Sequence, residues 1–292
     1  MRSDPAEYEL ITPGTLEGAL DLLRREPGNW LPMAGGTEIM VQYSTGQLDA
    51  RRLLNIWDIP ELKQITENGE ALRIGGGCTF GQLREHPAVQ SHFPLLAVAA
   101  AWTGSIANQN RATIAGNIVN ASPAADSPPV LLAYEAELEL VSAAGTRRIP
   151  YCDFHLGYKK TVLKPSELLL AIHLPKRFAG WFRYAQKTGA RKAQAISKVC
   201  IAGVGKLRLN RVEAVHVGIG AVAPTPLRLR RTEEVLLGAA LTEETIAEAQ
   251  LALASEIAPI EDIRSSVEYR RQVAVNLLGD FLRSFAASEP GA

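Results

Sequence analysis

The chain is poor in the residues that build metal centres and disulfide frameworks. Its three cysteines, Cys78, Cys152 and Cys200, are odd in number and far apart. No CxxC pair occurs, which argues against an iron–sulfur cluster or a structural zinc held by this chain, and so few thiols do not make a disulfide scaffold. The five histidines, His86, His92, His155, His173 and His216, show neither HxxxH nor HxH spacing. They read as surface or hydrogen-bonded core residues rather than metal ligands. Net charge is missing as well: 31 basic side chains balance 31 acidic ones, so charge points to neither nucleic acid nor an anionic membrane as partner. No apolar run approaches the roughly 20 residues of a membrane helix. The opening "MRSDPAEYEL" carries no apolar signal core, so a cytoplasmic protein is expected. Neither GxGxxG nor GxxxxGK[ST] is present, so a Rossmann dinucleotide site and a P-loop are both unsupported.

What is there suits a globular enzyme. The 292 residues are 47% apolar and 21% charged, room for two domains. "TLEGALDLLRREPG" reads as a helix with Thr15 as N-cap and Pro27-Gly28 as stop. "WLPMAGG" reads as a strand running into glycines, "EIMVQYSTG" as a short helix and "RRLLNI" as a strand. "LKQITENGEALRIGGG" reads as a hairpin about Asn68-Gly69. Thr79 and Gln82 have the spacing of a capping box, and the apolar stretch 93–102 is helical. "ELELVSAAGTRRIP" reads as a second hairpin and "ELLLAIHLP" as a buried strand. From about residue 180 the texture changes to three successive strands, with Asn210 in the last turn, followed by two helices over 242–287. The fold class expected is α+β, with a boundary near 175–180.

Two segments carry chemistry. "MAGGTEIM", 33–40, places glycines between a strand and a helix, where backbone N–H groups can approach phosphate oxygens; an ordinary tight turn would read the same way. The second, "NQNRATIAGNIVNASPAADSPP", 108–129, holds four asparagines and a single cation, Arg111, between apolar stretches. A long polar loop inside a compact domain is usually functional, and this one reads as a binding loop. Its core "TIAGN", 113–117, offers a second small-residue turn, a hydroxyl and an amide. Asp126, before Ser127-Pro128, is either a helix N-cap or a ligand acceptor. Two backbone cradles suit a diphosphate with polyol arms.

Four segments in order, "LPMAGGTEIM", "GSIANQNRATIAGNIVNASPAADSPPVLLAYEAELEL", "FHLGYKKTVLKPSELLLAIHLP" and "FRYAQKTGARKAQAISKV", resemble the FAD-binding medium subunits of the molybdenum hydroxylases, the xanthine dehydrogenase / carbon monoxide dehydrogenase family. The likeness spans essentially the whole chain. It implies a two-subdomain FAD-binding fold of the vanillyl-alcohol-oxidase (PCMH) type over 1–178, with subdomains of about 1–57 and 58–178, and a flavoprotein C-terminal domain of sheet plus helices over 179–292. It implies FAD, and the absence of His or Cys from 33–40 and 113–117 points to noncovalent binding. Met33, Ala34, Gly35, Gly36, Thr37, Glu38 and Ile39 would form one diphosphate turn, and Thr113, Ile114, Ala115, Gly116 and Asn117 the other, both through backbone N–H groups, with Pro32 a cofactor-binding residue just before the first. Asp126 would accept from ribityl hydroxyls, Leu169 would line the pocket for the adenine or ring portion, and Thr103 and Ile196 would lie near the flavin ring. Lys187 matches a family lysine whose ammonium could stabilise reduced flavin; a solvated strand lysine is the plainer reading.

The resemblance also implies partners: a large molybdopterin-binding subunit and a small [2Fe–2S] subunit, as a dimer of heterotrimers, with NAD+, oxygen or a quinone as acceptor. Two departures stand out. Ala115 replaces the first of two family glycines, which requires a negative φ there. Gln194-Ala195 replace the acidic pair of the animal NAD-dependent members. A self-contained flavin oxidoreductase and a subunit that has lost FAD are the rival readings.

Overall fold

The computed structural model describes residues 4–191 and 193–288. It is a mixed helix-and-sheet protein with three principal sheets. The first helix, Leu16–Arg25, begins where Thr15 accepts the Gly18 N–H, and carries Arg24 and Arg25 in its last turn, at the negative end of the helix dipole. Ala19, Leu20 and Leu23 are buried and pack with Trp30 and Leu54 in one cluster. Leu54 belongs to a small parallel sheet ordered Glu9–Ile11, Arg52–Asn55, Leu31–Met33.

The second sheet is antiparallel and ordered Ile65–Glu67, Ala71–Gly75, Leu168–Pro175, Glu137–Ser142, Gly145–Pro150. Its central strand is buried along nearly its whole length, which is why it reads as an unbroken apolar run. His173 on that strand is satisfied by Glu139 at 2.6 Å. Helices Phe80–Glu85, Pro94–Trp102, Ile114–Val119 and Ser127–Ala133 share this sheet's core. Both halves of the Thr79–Gln82 capping box form.

Two expectations need correction here. The first hairpin is not a two-residue Asn-Gly turn. Pairing ends at Glu67 and Leu72, Gly69 is not left-handed, and the Asn68 side chain closes the turn by accepting the Glu70 and Ala71 N–H groups. The stretch 108–129 is not a structureless loop either. It contains the end of helix Ile106–Gln109, all of Ile114–Val119 and the start of Ser127–Ala133. Helices this short show too few turns for periodicity to emerge.

The third sheet is antiparallel: Phe182–Thr188, Val199–Arg208, Arg211–Gly220 and Leu227–Arg228. Helices Glu243–Glu256 and Val267–Ala286 bury Leu253, Leu278, Phe281 and Phe285 against it. Ala202 and Val204 of the same sheet join the core formed by helix Ser127–Ala133, so the third sheet is docked onto the polar segment around Asp126. Among the described residues no helix is long and apolar enough to cross a membrane.

Candidate functional site

Strand Leu31–Met33 ends at a turn, 34–38, that opens helix Ile39–Thr45. Gly36 sits at φ +76°, left-handed. A Cβ on Gly35 would lie 1.6 Å from the Arg111 carbonyl oxygen, so no side chain fits there. Among the described residues, none of the N–H groups from 34 to 39 donates to a protein acceptor. Six successive unspent donors leading into a helix give the turn a run of partial positive charge. Glu38 stands at the rim, 3.4 Å from Lys159 Nζ, which also donates to Asn120 Oδ1 at 2.5 Å.

The second turn is built differently from the expectation. Thr113 caps helix Ile114–Val119 by accepting the Gly116 N–H. The Ile114 and Ala115 N–H groups go to the carbonyls of Cys78 and Gly76, and that of Asn117 to Thr113. Four of its five donors are therefore taken up inside the protein, and Ile114 is fully buried. The turn offers close backbone approach, the Thr113 N–H and the Asn117 amide, whose Oδ1 accepts from Ser127 Oγ at 2.7 Å. Ala115 keeps φ out of the left-handed region. Its methyl has room because residue 76 is glycine: a Cβ there would come within 2.9 Å of Ala115 Cβ and 2.3 Å of the Leu169 carbonyl.

Between the two turns lies a cavity of about 330 Å³ whose walls include Pro32, Ala34, Thr113, Ala115, Gly116 and Leu169. Trp30, Leu163 and Leu168 make its far side apolar.

Further along, Asp126 heads helix Ser127–Ala133 but does not cap it. Its carboxylate instead accepts from Lys187 Nζ at 2.6 Å and from Ser197 Oγ at 2.6 Å. Burial raises the Asp126 carboxyl above its ordinary value, against the pull of Lys187 and Ser197. Lys187 also donates to the Trp102 carbonyl at 3.2 Å. Asp126 thus occupies the N-cap position without its side chain capping the helix, and Lys187 is not a solvated strand residue. Thr103 follows Trp102, with its hydroxyl returned to the Ala99 carbonyl. Ile196 precedes Ser197 and is exposed. Thr103, Asp126, Lys187 and Ile196 thus converge, although they come from four separate segments.

The sites line up. The 34–39 turn touches Arg111, Arg111 leads into Thr113, Asn117 reaches Ser127, and Asp126 reaches Lys187. Sequence reasoning missed Arg111, Gly76, Lys159 and Ser197. The glycine run after Arg73-Ile74 was a visible signal for Gly76. The others act through contacts distant in sequence.

Residues 6–177 match the family described as the FAD binding domain in molybdopterin dehydrogenase. The chain belongs to this family. Residues 184–285 match the CO dehydrogenase flavoprotein C-terminal domain. The chain is 35% identical over 263 residues to a xanthine dehydrogenase FAD-binding subunit from Escherichia coli O157:H7, covering 88% of each. It is 31% identical to the carbon monoxide dehydrogenase medium chain of Hydrogenophaga pseudoflava, covering 92% of this chain and 94% of that one. It superposes with a TM-score of 0.93 and 30% identity on a solved carbon monoxide dehydrogenase from H. pseudoflava that lacks the Mo-pyranopterin moiety of its cofactor, covering 98% and 99% of the two chains. An FAD-binding domain followed by a flavoprotein C-terminal domain is therefore the architecture, and the homologues are oxidoreductase subunits.

Proposed function

We infer that this chain carries noncovalent FAD as the electron-transfer subunit of a molybdenum hydroxylase, with 1–178 (subdomains 1–57 and 58–178) as the FAD-binding unit and 179–292 as its C-terminal partner. The observation that carries the reading is the row of unspent N–H groups from 34 to 39. Such a row, beside a glycine that admits no Cβ, matches an anionic diphosphate and leaves no room for a bulkier polar clamp. Glu38 lies at its rim and is neutralised by Lys159.

The rest of the site fits the remainder of the group. The apolar cavity bounded by Pro32 and Leu169 suits a flat heterocycle. Asn117 and Asp126 present amide and carboxylate groups to a polyol; Asp126 has lone pairs beyond those used by Lys187 and Ser197. Thr103, Lys187 and Ile196 stand where the ring system would lie. When bound, FAD accepts electrons one at a time and releases them in pairs, the chemistry a junction between iron–sulfur centres and a two-electron acceptor needs. The protein's own part is to bind, orient and set the charge around that group.

We assign substrate oxidation to a large molybdopterin-binding subunit and electron delivery to a small [2Fe–2S] subunit, assembled as a dimer of heterotrimers in the cytoplasm. The acceptor would be NAD+, oxygen or a quinone. Support comes from relatives whose names are those of medium chains and FAD-binding subunits. Those relatives serve substrates as unlike as xanthine and carbon monoxide, as expected if substrate choice lies on another polypeptide. Affinity purification of the chain from its native cell tests this. Molybdenum, iron and two further polypeptides should co-elute with it. A preparation of this polypeptide alone that turns over an organic substrate would contradict the assignment.

A further inference from the structure

Arg111 is the one cation in the polar segment, and the proposed FAD function gives it no role. Its Nε donates to the Gly35 carbonyl at 3.3 Å, across 76 positions of sequence. Its guanidinium lies over the Trp57 ring, 4.0 Å from the centroid. The Trp57 backbone N–H donates to Asn55 Oδ1 at 3.1 Å, and Lys63 Nζ also approaches the ring, at 5.0 Å. The guanidinium is therefore held by stacking as well as by its hydrogen bond.

The consequence follows from peptide geometry. No cis peptide occurs among the described residues, so the C=O of Gly35 and the N–H of Gly36 point in opposite directions. With the Gly35 carbonyl tied to Arg111, the Gly36 N–H is turned the other way, where no protein acceptor meets it. A peptide flanked by two glycines is the easiest kind to flip. Rotation would carry Gly36 from φ +76° into the negative-φ region, which glycine adopts about as readily. One orientation offers an anion a donor; the other offers it a carbonyl oxygen, which repels it.

We propose that Arg111, stacked on Trp57, is a positioning residue that fixes the Gly35–Gly36 peptide with its N–H outward and so keeps the first turn competent to bind a diphosphate. Arg111 acts through the peptide plane and not as a direct phosphate ligand. The proposal rests on the FAD reading above.

The test is titration of the deflavinated full chain with FAD and, separately, with ADP, which keeps the diphosphate and lacks the flavin. Wild type, Arg111→Met, Arg111→Lys and Trp57→Leu are compared, and each cofactor-free chain is melted. Failure of wild type to bind FAD would sink the functional reading itself. With wild type binding, Arg111→Met should weaken FAD and ADP by the same factor, about ten- to a hundredfold. Arg111→Lys should lie between, since an ammonium can still reach the carbonyl but lacks the planar fork. Trp57→Leu should weaken binding with Arg111 intact. The cofactor-free melting temperatures should be unchanged, and the salt dependence of FAD binding should be the same in Arg111→Met as in wild type. Unchanged affinities would overturn the proposal. A salt dependence lost with Arg111 would overturn it in favour of direct phosphate contact. A fall in the cofactor-free melting temperature that accounts for the lost affinity would reduce Arg111 to a structural residue. Should Arg111→Met not fold, the same outcomes are read on Arg111→Lys and Trp57→Leu.

Discussion

The Lys187 ammonium lies 2.6 Å from the Asp126 carboxylate, and the two side chains are only 10% and 9% exposed. The contact joins strand Phe182–Thr188 of the third sheet to the head of helix Ser127–Ala133. Breaking one side of such a pair strands the other charge. Lys187→Met should therefore cost about 3–5 kcal/mol, more than removal of a lone lysine. Lys187→Met combined with Asp126→Asn should recover part of that loss. Urea unfolding of the two single variants and the double variant forms the cycle, and strictly additive losses would mean that the pair is not coupled.

The same pair governs the charge near the proposed flavin position. Paired, the two side chains are nearly neutral together, so the effect of Lys187 on the cofactor is smaller than that of an isolated ammonium. In Lys187→Met the Asp126 carboxylate loses its counter-ion, and burial, already raising its proton affinity, acts unopposed by Lys187. With Asp126 ionised, the FAD midpoint potential should fall by some tens of millivolts, about 30 mV for each 1.4 kcal/mol. As pH is lowered and Asp126 takes up a proton, the shift should shrink. Spectroelectrochemistry as a function of pH checks this; a shift independent of pH would contradict it.

The glycines of the first turn should tolerate no side chain. Gly35→Ala sets a methyl against the Arg111 carbonyl, and Gly36→Val forces a β-branched residue to φ +76°. Both should abolish FAD retention. Gly116→Val should do the same by crowding Thr113 Oγ1, 2.9 Å from the new Cβ. Gly14→Ala, with nothing within 4 Å, is the control and should leave flavin content at the wild-type level. Flavin content per chain is the measurement, and Gly35→Ala with full FAD would refute the close-approach argument.

Acid should destabilise the fold through two histidines kept neutral. Burial, helped by the Arg228 charge, lowers His216 to about 3, and burial lowers His155 to about 4. In the unfolded chain both return to about 6.5. The depressed folded values favour the neutral rings. Their stabilisation is thus complete above pH 6.5 and is lost as pH falls from there towards 4 and then 3, at no more than ~1.4 kcal/mol per pH unit for each histidine and less where water reaches the ring. His216→Gln keeps a donor for the Ala133 carbonyl, which now accepts from His216 at 3.2 Å. Unfolding free energies measured from pH 7 to 4 should fall less steeply for this variant than for wild type; parallel curves would remove His216 from the acid limb.

The parts of the fold legible in the sequence were those set by neighbours in the chain. Thr15 and Thr79 announce their helices because a cap acts over three residues. The Leu168–Pro175 strand announces itself because burial on both faces leaves only apolar residues. The 108–129 segment misled because its helices are too short to show a period and its polar side chains resemble loop residues. Asp126 had every local mark of an N-cap, yet Lys187, 61 positions away, and Ser197, 71 positions away, claim its carboxylate. No local rule carries such a pairing. The same applies to Arg111 and Gly35, whose contact depends on how the small parallel sheet sits against the segment before Thr113.

The central claim is that this chain holds FAD noncovalently across the two turns, and the most direct test is the absorbance spectrum of the purified chain followed by acid precipitation. The account predicts flavin bands in the visible, one FAD per chain, and all of the yellow colour in the supernatant after precipitation. A colourless protein that takes up no added FAD, or colour that stays with the pellet, would contradict it.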